Sequence, residues 1–423
     1  MAKPLIVGPI SGEGSMIGSH RALLLTLTIT CSLGMVASTI YVPSVPAIAS
    51  ALETSVAQVQ FTFVGYLLAF AVSMLILGPV SDRYGRKRTM IFGVALSAFG
   101  SAACAASPSI EFLIAGRIIQ GIGLSGGMVV GRATIRDLYG RDGAAQVIAG
   151  LSIVLTLIQA FAPIPGGYLQ AWIGWRANFT AITVLSLFAA ALVIRYVPGA
   201  RPTSESAPQS GTVLARTMLA GYRTLIGTRR FLAYAVTATG AHAGFHIFAA
   251  GAPAVLIIGL GIIPEDYGYY ASLPPMGYLI GSFLSNRLAR RLGIDGLIAI
   301  GCAVLAPAGS LMLALAVVHA ASPYAIVGPM ILICCGSGLI SPNAVAGSLG
   351  VNAEIAGTAS GLASFLQMTG AACATAALSL SGTGNPLVLA IVIALAGLVA
   401  VTSFGSLVQF GRLPARADAQ ASL

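Results

Sequence analysis

Twelve runs of apolar residues, each long enough to cross a lipid bilayer, divide this chain of 423 residues. A spanning helix needs about 20 apolar residues, and a helix satisfies all its backbone hydrogen bonds within one segment. Charged residues make up only 8% of the chain, against about 25% in soluble domains. The sequence therefore predicts an all-α integral membrane protein with twelve transmembrane helices, at residues 21–42, 58–80, 89–107, 112–131, 145–168, 178–197, 231–262, 268–286, 296–319, 323–347, 357–380 and 386–410.

Positive charges concentrate at one end of the predicted spans. Twelve crossings place both termini on one side, and 20 of the 22 Lys and Arg residues fall in segments on that side. Arg176 lies on the other side and Arg117 lies within a span. Because cytoplasmic loops carry an excess of Lys and Arg, we expect both termini to be cytoplasmic. The net charge of +10 thus reflects topology and does not indicate a nucleic-acid surface.

A polar segment rich in Pro, Ser and Gly, residues 198–230, separates six spans from six. A shift of 204 residues aligns SDRYGRK (81–87) with SNRLARR (285–291), each at the end of the second span of its half. Two halves related by a parallel repeat are typical of secondary transporters that rock about a central site. The predicted domains are an N-terminal tail, an N-terminal half, a linker, a C-terminal half and a C-terminal tail, at residues 1–20, 21–197, 198–230, 231–410 and 411–423.

The loop GPVSDRYGRKR (78–88) combines an acid, two glycines and four cations. Asp82, at a helix end, can accept hydrogen bonds from Arg side chains or backbone N–H groups, and glycines permit a tight turn and close helix approach. We expect a gate that closes the cytoplasmic face, formed with the second copy of the repeat. The alternative is a solvated loop whose cations only fix topology. The predicted gate residues are Gly78, Asp82, Arg83, Gly85, Arg86, Asn286 and Arg287.

The fifth predicted span contains a Pro- and Gly-rich segment that would bend the helix and allow close packing. We interpret it as a hinge at the interface of the halves, with generic small-residue packing as the alternative. The predicted hinge residues are Gly150, Pro163, Pro165, Gly166 and Gly167.

Arg117 is a charge within a span, which is costly and therefore suggests a functional site, with Gln120 one turn further along the helix. The alternative is that Arg117, near a helix end, extends its guanidinium to the membrane surface. Polar and aromatic residues at mid-span are candidates for a substrate cavity or, alternatively, for hydrogen bonds between helices. These candidates are Tyr41, Tyr66, Gln159, Phe245, Tyr278, Asn343 and Gln367.

His242 and His246 are candidate proton carriers, because no acidic residue lies at mid-membrane in this sequence. They are four residues apart on one predicted helix face, and imidazole titrates near physiological pH. The alternatives are a metal site, for which no third ligand is evident, and histidines that only pack against neighbouring helices.

Several segments are similar to known signatures. GPVSDRYGRKR resembles the loop 2–3 signature of the major facilitator superfamily. RIIQGIG (117–123) and AFAPIPGGYL (160–169) resemble the fourth- and fifth-helix signatures of its twelve-span drug:proton antiporters. Four further segments resemble the bicyclomycin/chloramphenicol-resistance branch, namely YVPSVPAIA (41–49), RATIRDLYG (132–140), WRANF (175–179) and GTASGL (357–362).

The resemblance implies two pseudo-symmetric six-helix bundles that alternate access in a bacterial inner membrane. It implies a monomer in the lipid bilayer that exports a small molecule against protons, with Arg117 linked to proton coupling. Relatives often carry an aspartate two residues before the first-helix tyrosine, where this chain has Thr39, a further candidate substrate contact. A buried cation without a buried anion favours neutral or anionic cargo.

Two alternatives remain open. One is a dedicated exporter of a metabolite, such as a siderophore, with little drug activity; the other is a transporter-like sensor without flux. An enzyme is not expected, because aqueous-facing segments contain no nucleophile elbow, phosphate loop or metal motif. No cofactor is predicted.

Overall fold

The computed structural model describes residues 13–199, 220–318, 322–351, 356–382 and 384–411, and the regular structure within them is helical throughout. Eleven helical stretches are long and apolar enough to span a membrane. One of them, Pro264–Val317, covers 54 residues, or about 80 Å at 1.5 Å per residue, more than twice the roughly 30 Å hydrocarbon core. It is broken at Gly293. The structure thus confirms the twelve predicted spans.

We number the spans α1 to α12, and three of them continue past a local irregularity. The 3-10 turn Val42–Ser44 and the helix Val45–Ala51 continue α1, the helix Pro163–Trp172 continues α5, and the π-helical turn Ala254–Gly259 continues α7. The spans are α1 (Glu13–Thr39), α2 (Val56–Tyr84), α3 (Arg86–Ala105), α4 and α5 (the parts of Ile110–Phe161 before and after Gly140), α6 (Arg176–Tyr196), α7 (Arg229–Pro253), α8 and α9 (the parts of Pro264–Val317 before and after Gly293), α10 (Pro323–Leu349), α11 (Ala356–Ser381) and α12 (Pro386–Gly411).

Local sequence explains where the helices begin and end. A capping box starts α2, in which Ser55 Oγ accepts from the Gln58 N–H (3.2 Å) and Gln58 Oε1 accepts from the Ser55 N–H (3.3 Å). Gly85 ends α2 with φ 94°, and Gly140 and Gly293 separate their helix pairs with φ 67° and 66°. L side chains rarely adopt these values, so glycine is required at each turn.

The two six-helix halves, α1–α6 and α7–α12, meet where α2 packs against α11 and α5 packs against α8. Gly167 of α5 lies so close to the carbonyl oxygen of Pro264 that a Cβ would collide with it, and a Cβ on Gly268 of α8 would collide with the backbone of Ile164. Small residues thus bring the two backbones into contact across the interface.

The predicted domain boundaries remain predictions. Most of the linker 198–230 lies outside the described residues, because only 198–199 and 220–230 are described. The tails 1–20 and 411–423 are also largely outside them, since description begins at 13 and ends at 411.

Candidate substrate cavity and coupling site

A cavity of about 520 Å³ lies between the halves, within the range of about 300–1,000 Å³ typical of drug-sized ligands. Both halves contribute: α1, α2, α4 and α5 from one, and α7, α8, α10 and α11 from the other. The lining runs from Phe245 at mid-span to Arg132 and Asn286, near the ends of α4 and α8. The loop 78–88 and these termini of α4 and α8 lie at one end of the bundle, which we call the basic end.

Four predicted cavity residues line this space: Gln159, Phe245, Tyr278 and Gln367. Their polar or aromatic side chains lie among apolar neighbours, as in most ligand pockets. The other predicted contacts, Thr39, Tyr41, Tyr66, Arg117, Gln120 and Asn343, are not among its lining residues.

Two of those residues make hydrogen bonds between helices. Asn343 Nδ2 donates to Ser285 Oγ and to the Leu339 carbonyl, both at 2.7 Å, which joins α10 to α8. Thr39 Oγ1 donates to the Met35 carbonyl of its own helix at 3.1 Å and to the Gln159 carbonyl at 3.4 Å, which joins α1 to α5. Asn343 therefore fits the alternative to a cavity-lining role, which is hydrogen bonding between helices.

Arg117 is fully buried in an aromatic cage within the N-terminal half. Its guanidinium carbon lies 4.3 Å from the ring centroids of both Tyr41 and Tyr66 and 5.9 Å from that of Phe179. The negative ring faces stabilise the cation, and desolvation strengthens this cation–π interaction. The expectation that Tyr41 and Tyr66 line the cavity is not met, because both rings enclose the arginine. The alternative in which Arg117 extends its guanidinium to the membrane surface is also wrong, because the residue is fully buried.

The polar contacts of Arg117 are few. Its Nη1 donates to the Ala37 carbonyl (3.0 Å) and to Gln120 Oε1 (2.5 Å), and Gln120 Nε2 donates to Ser101 Oγ (2.7 Å). Within the described residues, Arg117 Nε and Nη2 have no hydrogen-bond partner, and neither of the two ion pairs found involves Arg117. The cage thus stabilises the charge with ring faces and neutral acceptors.

The two histidines lie where the cavity meets the interface between the halves. Their ring centroids are 4.7 Å apart. His242 lines the cavity and its buried Nε2 has no hydrogen-bond partner among the described atoms. His246 is stacked on Phe63 of α2, with centroids 6.0 Å apart. No group of three metal-ligating side chains occurs in the described ranges.

Hydrogen bonds between the halves close the end opposite the basic end. Buried Gln60 of α2 donates through Nε2 to the Ala250 carbonyl of α7 (3.0 Å) and accepts from Ser379 Oγ of α11 (2.8 Å). The hydroxyls of Tyr168 and Tyr269 are 3.0 Å apart and join α5 to α8. Sequence reasoning missed the side chains of Gln60, Ser379, Tyr168 and Tyr269, because a polar residue near the end of a span is equally consistent with exposure at the membrane surface.

At the basic end, Arg86 is the centre of the charged cluster. It pairs with Asp82 Oδ1 through Nη2 (2.5 Å) and with Asp137 Oδ2 through Nε (3.0 Å), and Nη1 donates to Ser81 Oγ. All four residues belong to the N-terminal half. Neither ion pair in the described part of the chain joins the two halves at this end. Asp137, which sequence reasoning did not single out, lies in RATIRDLYG.

The other predicted gate residues contribute differently. Gly85 forms the expected tight turn (φ 94°). The close approach expected at Gly78 is not seen, since a Cβ there would meet only Val129 Cγ1, at 3.9 Å. Arg83 lies 5.7 Å from the ring of Tyr84. In the second copy, Asn286 lines the cavity and Arg287 lies over the ring of Phe283 at 4.9 Å.

The predicted hinge residues lie in different surroundings, some tightly packed and one open. The helix is interrupted between Phe161 and Pro163, since proline has no N–H to continue the hydrogen-bond ladder. A Cβ on Gly166 would collide with the Ile40 carbonyl, and one on Gly167 with the neighbouring half, whereas Gly150 has nothing within 4 Å. Pro165 is exposed. Small-residue packing therefore accounts for Gly166 and Gly167, and hinge motion stays a prediction.

Arg132 is the functional candidate that sequence reasoning missed most clearly. It lines the cavity, and its Nε is buried without a hydrogen-bond partner among the described atoms. The sequence alone explains Arg132 by topology, as a cation near the end of a predicted span that is expected to be cytoplasmic. Its place in RATIRDLYG, close to Asp137, was the available signal.

Comparisons with known proteins agree with this architecture. The chain is 29% identical over 382 residues to Multidrug resistance protein D of Escherichia coli (strain K12), covering 90% of this chain and 94% of that protein. It is 28% identical to a Bicyclomycin resistance protein homolog of Haemophilus influenzae, covering 80% and 84%. The crystal structure of a D-xylose-proton symporter superposes with a TM-score of 0.72 at 14% identity, covering 90% of this chain and 97% of that one.

The relatives' names confirm the resemblance to a drug-resistance branch, and the solved structure confirms the twelve-helix transporter fold. The Major Facilitator Superfamily profile matches residues 27–375. This chain belongs to the Major Facilitator Superfamily.

Proposed function

We propose that this protein exports a small neutral or anionic organic compound from the cytoplasm by alternating access, in exchange for protons. The observation that carries the proposal is the position of the cavity. Its lining reaches Arg132 and Asn286 near the basic end, while Gln60 and Tyr168 hold the opposite end closed. The positive-inside rule supports a cytoplasmic basic end with cytoplasmic termini in a bacterial inner membrane, so cargo enters the cavity from the cytoplasm.

Proton exchange requires a group for which cargo and proton compete. A neutral imidazole can accept a hydrogen bond from a cargo O–H or N–H at the free Nε2 of His242. A proton on the same atom removes this acceptor, so protonation from the exterior favours release. His246 connects this site to α2 through Phe63. The arrangement needs one polypeptide, and the transporter acts as a monomer.

The test is uptake into everted membrane vesicles, whose outer face is cytoplasmic. An acidic interior drives accumulation of an exported drug, and substitution of both His242 and His246 by Gln abolishes this drive. Counterflow, in which labelled cargo exchanges for unlabelled cargo without a pH gradient, persists in the double variant because alternating access remains. Unchanged proton-driven uptake in the double variant contradicts the coupling role. Absence of flux for every drug tested contradicts drug export. In that case, accumulation of one metabolite in a deletion strain indicates a dedicated metabolite exporter, and absence of flux for any compound indicates a sensor.

A further inference from the structure

We infer that the cavity recognises a singly charged oxyanion group, such as a carboxylate, on a cargo that is otherwise apolar apart from an O–H or N–H donor, and that Arg132 is the recognising residue. The inference rests on the proposed function only in taking the cavity as the cargo site. It narrows the cargo from neutral or anionic compounds to organic anions.

The first line of support is the charge of the cavity. Among the described lining residues, Arg132 is the only Asp, Glu, Lys or Arg. Both ion pairs found in the described part of the chain belong to Arg86, so the charge of Arg132 is not neutralised by a described carboxylate. A cation at a cavity wall, without an anion beside it, favours anionic cargo and repels cationic cargo.

The second line of support is the unused hydrogen-bonding capacity around the cavity. Arg132 Nε is buried without a described partner, and leaving a buried donor unpaired is costly. On the opposite half, the hydroxyl of Ser341 in α10 also lines the cavity and is also unpartnered, and this residue is 6% exposed. A guanidinium fork binds a carboxylate with two parallel hydrogen bonds, and a hydroxyl can donate to the same group.

The remaining lining accommodates an apolar body. Met35, Met74 and Met128 contribute flexible side chains from the N-terminal half, and Phe245 contributes an aromatic ring from the C-terminal half. Arg117 cannot take the recognising role, because it is enclosed by Tyr41 and Tyr66 and does not line the cavity. The charge that meets the cargo is therefore Arg132.

The experiment measures binding of three fluorescent probes that share one dansyl body. Dansylglycine carries a carboxylate, dansylglycinamide is neutral, and N-dansylethylenediamine is a cation. Each is titrated into purified protein in nanodiscs, with empty nanodiscs subtracted. We expect dansylglycine to bind about tenfold more tightly than dansylglycinamide, a difference of about 1.4 kcal/mol, and the cation to bind most weakly.

The variants separate recognition from folding. Arg132→Gln should reduce the preference for the carboxylate to less than about twofold, and Arg132→Lys should keep part of it, because the charge remains while the planar fork is lost. Arg136→Gln is the matched control, since Arg136 is an exposed arginine one turn away that does not line the cavity. If Arg132→Gln does not fold, Ser341→Ala should still weaken dansylglycine binding relative to the amide.

Three results would overturn the inference: no preference for the carboxylate in the wild type, preference for the cation, or the same loss in Arg136→Gln as in Arg132→Gln. Its failure is distinct from failure of the proposed function. Carboxylate binding that depends on Arg132, without flux in vesicles, would refute export and leave the recognition site intact. Flux without carboxylate preference would refute the recognition site and leave export intact.

Discussion

Gln60 offers a direct test of how the closed end is held. Its side chain is buried and makes two hydrogen bonds to the other half, to the Ala250 carbonyl and from Ser379 Oγ. Gln60→Leu keeps the side-chain size and removes both. Ser379 keeps its bond to the Thr375 carbonyl at 3.0 Å, so the main penalty is the unpaired Ala250 oxygen together with the lost attraction.

Each lost hydrogen bond is worth about 1 kcal/mol, so the state closed at this end should lose about 2 kcal/mol relative to the state open there. At about 1.4 kcal/mol per factor of ten, the equilibrium shifts about 30-fold. A minor open state populated at about 1% would rise to roughly a quarter of the molecules.

The assay is a distance measurement between spin labels at the closed end, one in each half. Trp172 and Tyr324 are exposed positions for this purpose, in a background from which the six cysteines have been replaced. Gln60→Leu should add a longer-distance population that the wild type contains only in traces.

Asn178→Leu is the matched control for Gln60→Leu. Asn178 is buried near the same end, but its Nδ2 donates to Ser44 Oγ (2.8 Å) and the Gly166 carbonyl (3.2 Å), both in its own half. This variant should lose stability without changing the distances between the halves. Equal distance distributions in Gln60→Leu and the wild type, with both proteins folded, would refute the reasoning, as would an equal shift in Asn178→Leu.

Three further predictions concern other contacts. Asp137→Asn should change the melting temperature little, because an exposed ion pair with Arg86 is worth about 0.5 kcal/mol. The same variant should transport more slowly in vesicles, and unchanged transport would contradict a gating role. Arg117→Lys should lower the unfolding free energy by about 2 kcal/mol, since an ammonium cannot lie over two rings as a guanidinium does; equal denaturation midpoints would contradict the cage. Gly167→Val should abolish transport by forcing α5 from α8, while Gly150→Ala, with open space around it, should leave flux unchanged; active Gly167→Val protein would refute the close contact.

The twelve spans could be read from the sequence because each depends on a local property, about 20 apolar residues in a row. The cavity was partly predictable for a similar reason. Gln159, Phe245, Tyr278 and Gln367 interrupt apolar runs at mid-span, and polar or aromatic interruptions are found where helices face a cavity.

Contacts between distant segments were not predictable from one sequence. Tyr41 and Tyr66 have the same character as the true lining residues, yet their rings enclose Arg117 because three helices converge there. Arg132 was assigned to topology, since sequence position alone cannot distinguish a cation that faces a cavity from one that faces solvent. Asp137, the second carboxylate partner of Arg86, is 51 residues away in the chain, beyond any local pattern.

The enclosed charge of Arg117 has an electrical consequence. The cage fixes the Arg117 guanidinium to the N-terminal half, so this charge would move with that half in any rocking of the two halves. One elementary charge crossing the whole membrane field corresponds to about 2.3 kcal/mol per 100 mV. A displacement through a tenth of that field would contribute about 0.2 kcal/mol. Such a displacement would let membrane voltage bias the resting conformation before any cargo binds.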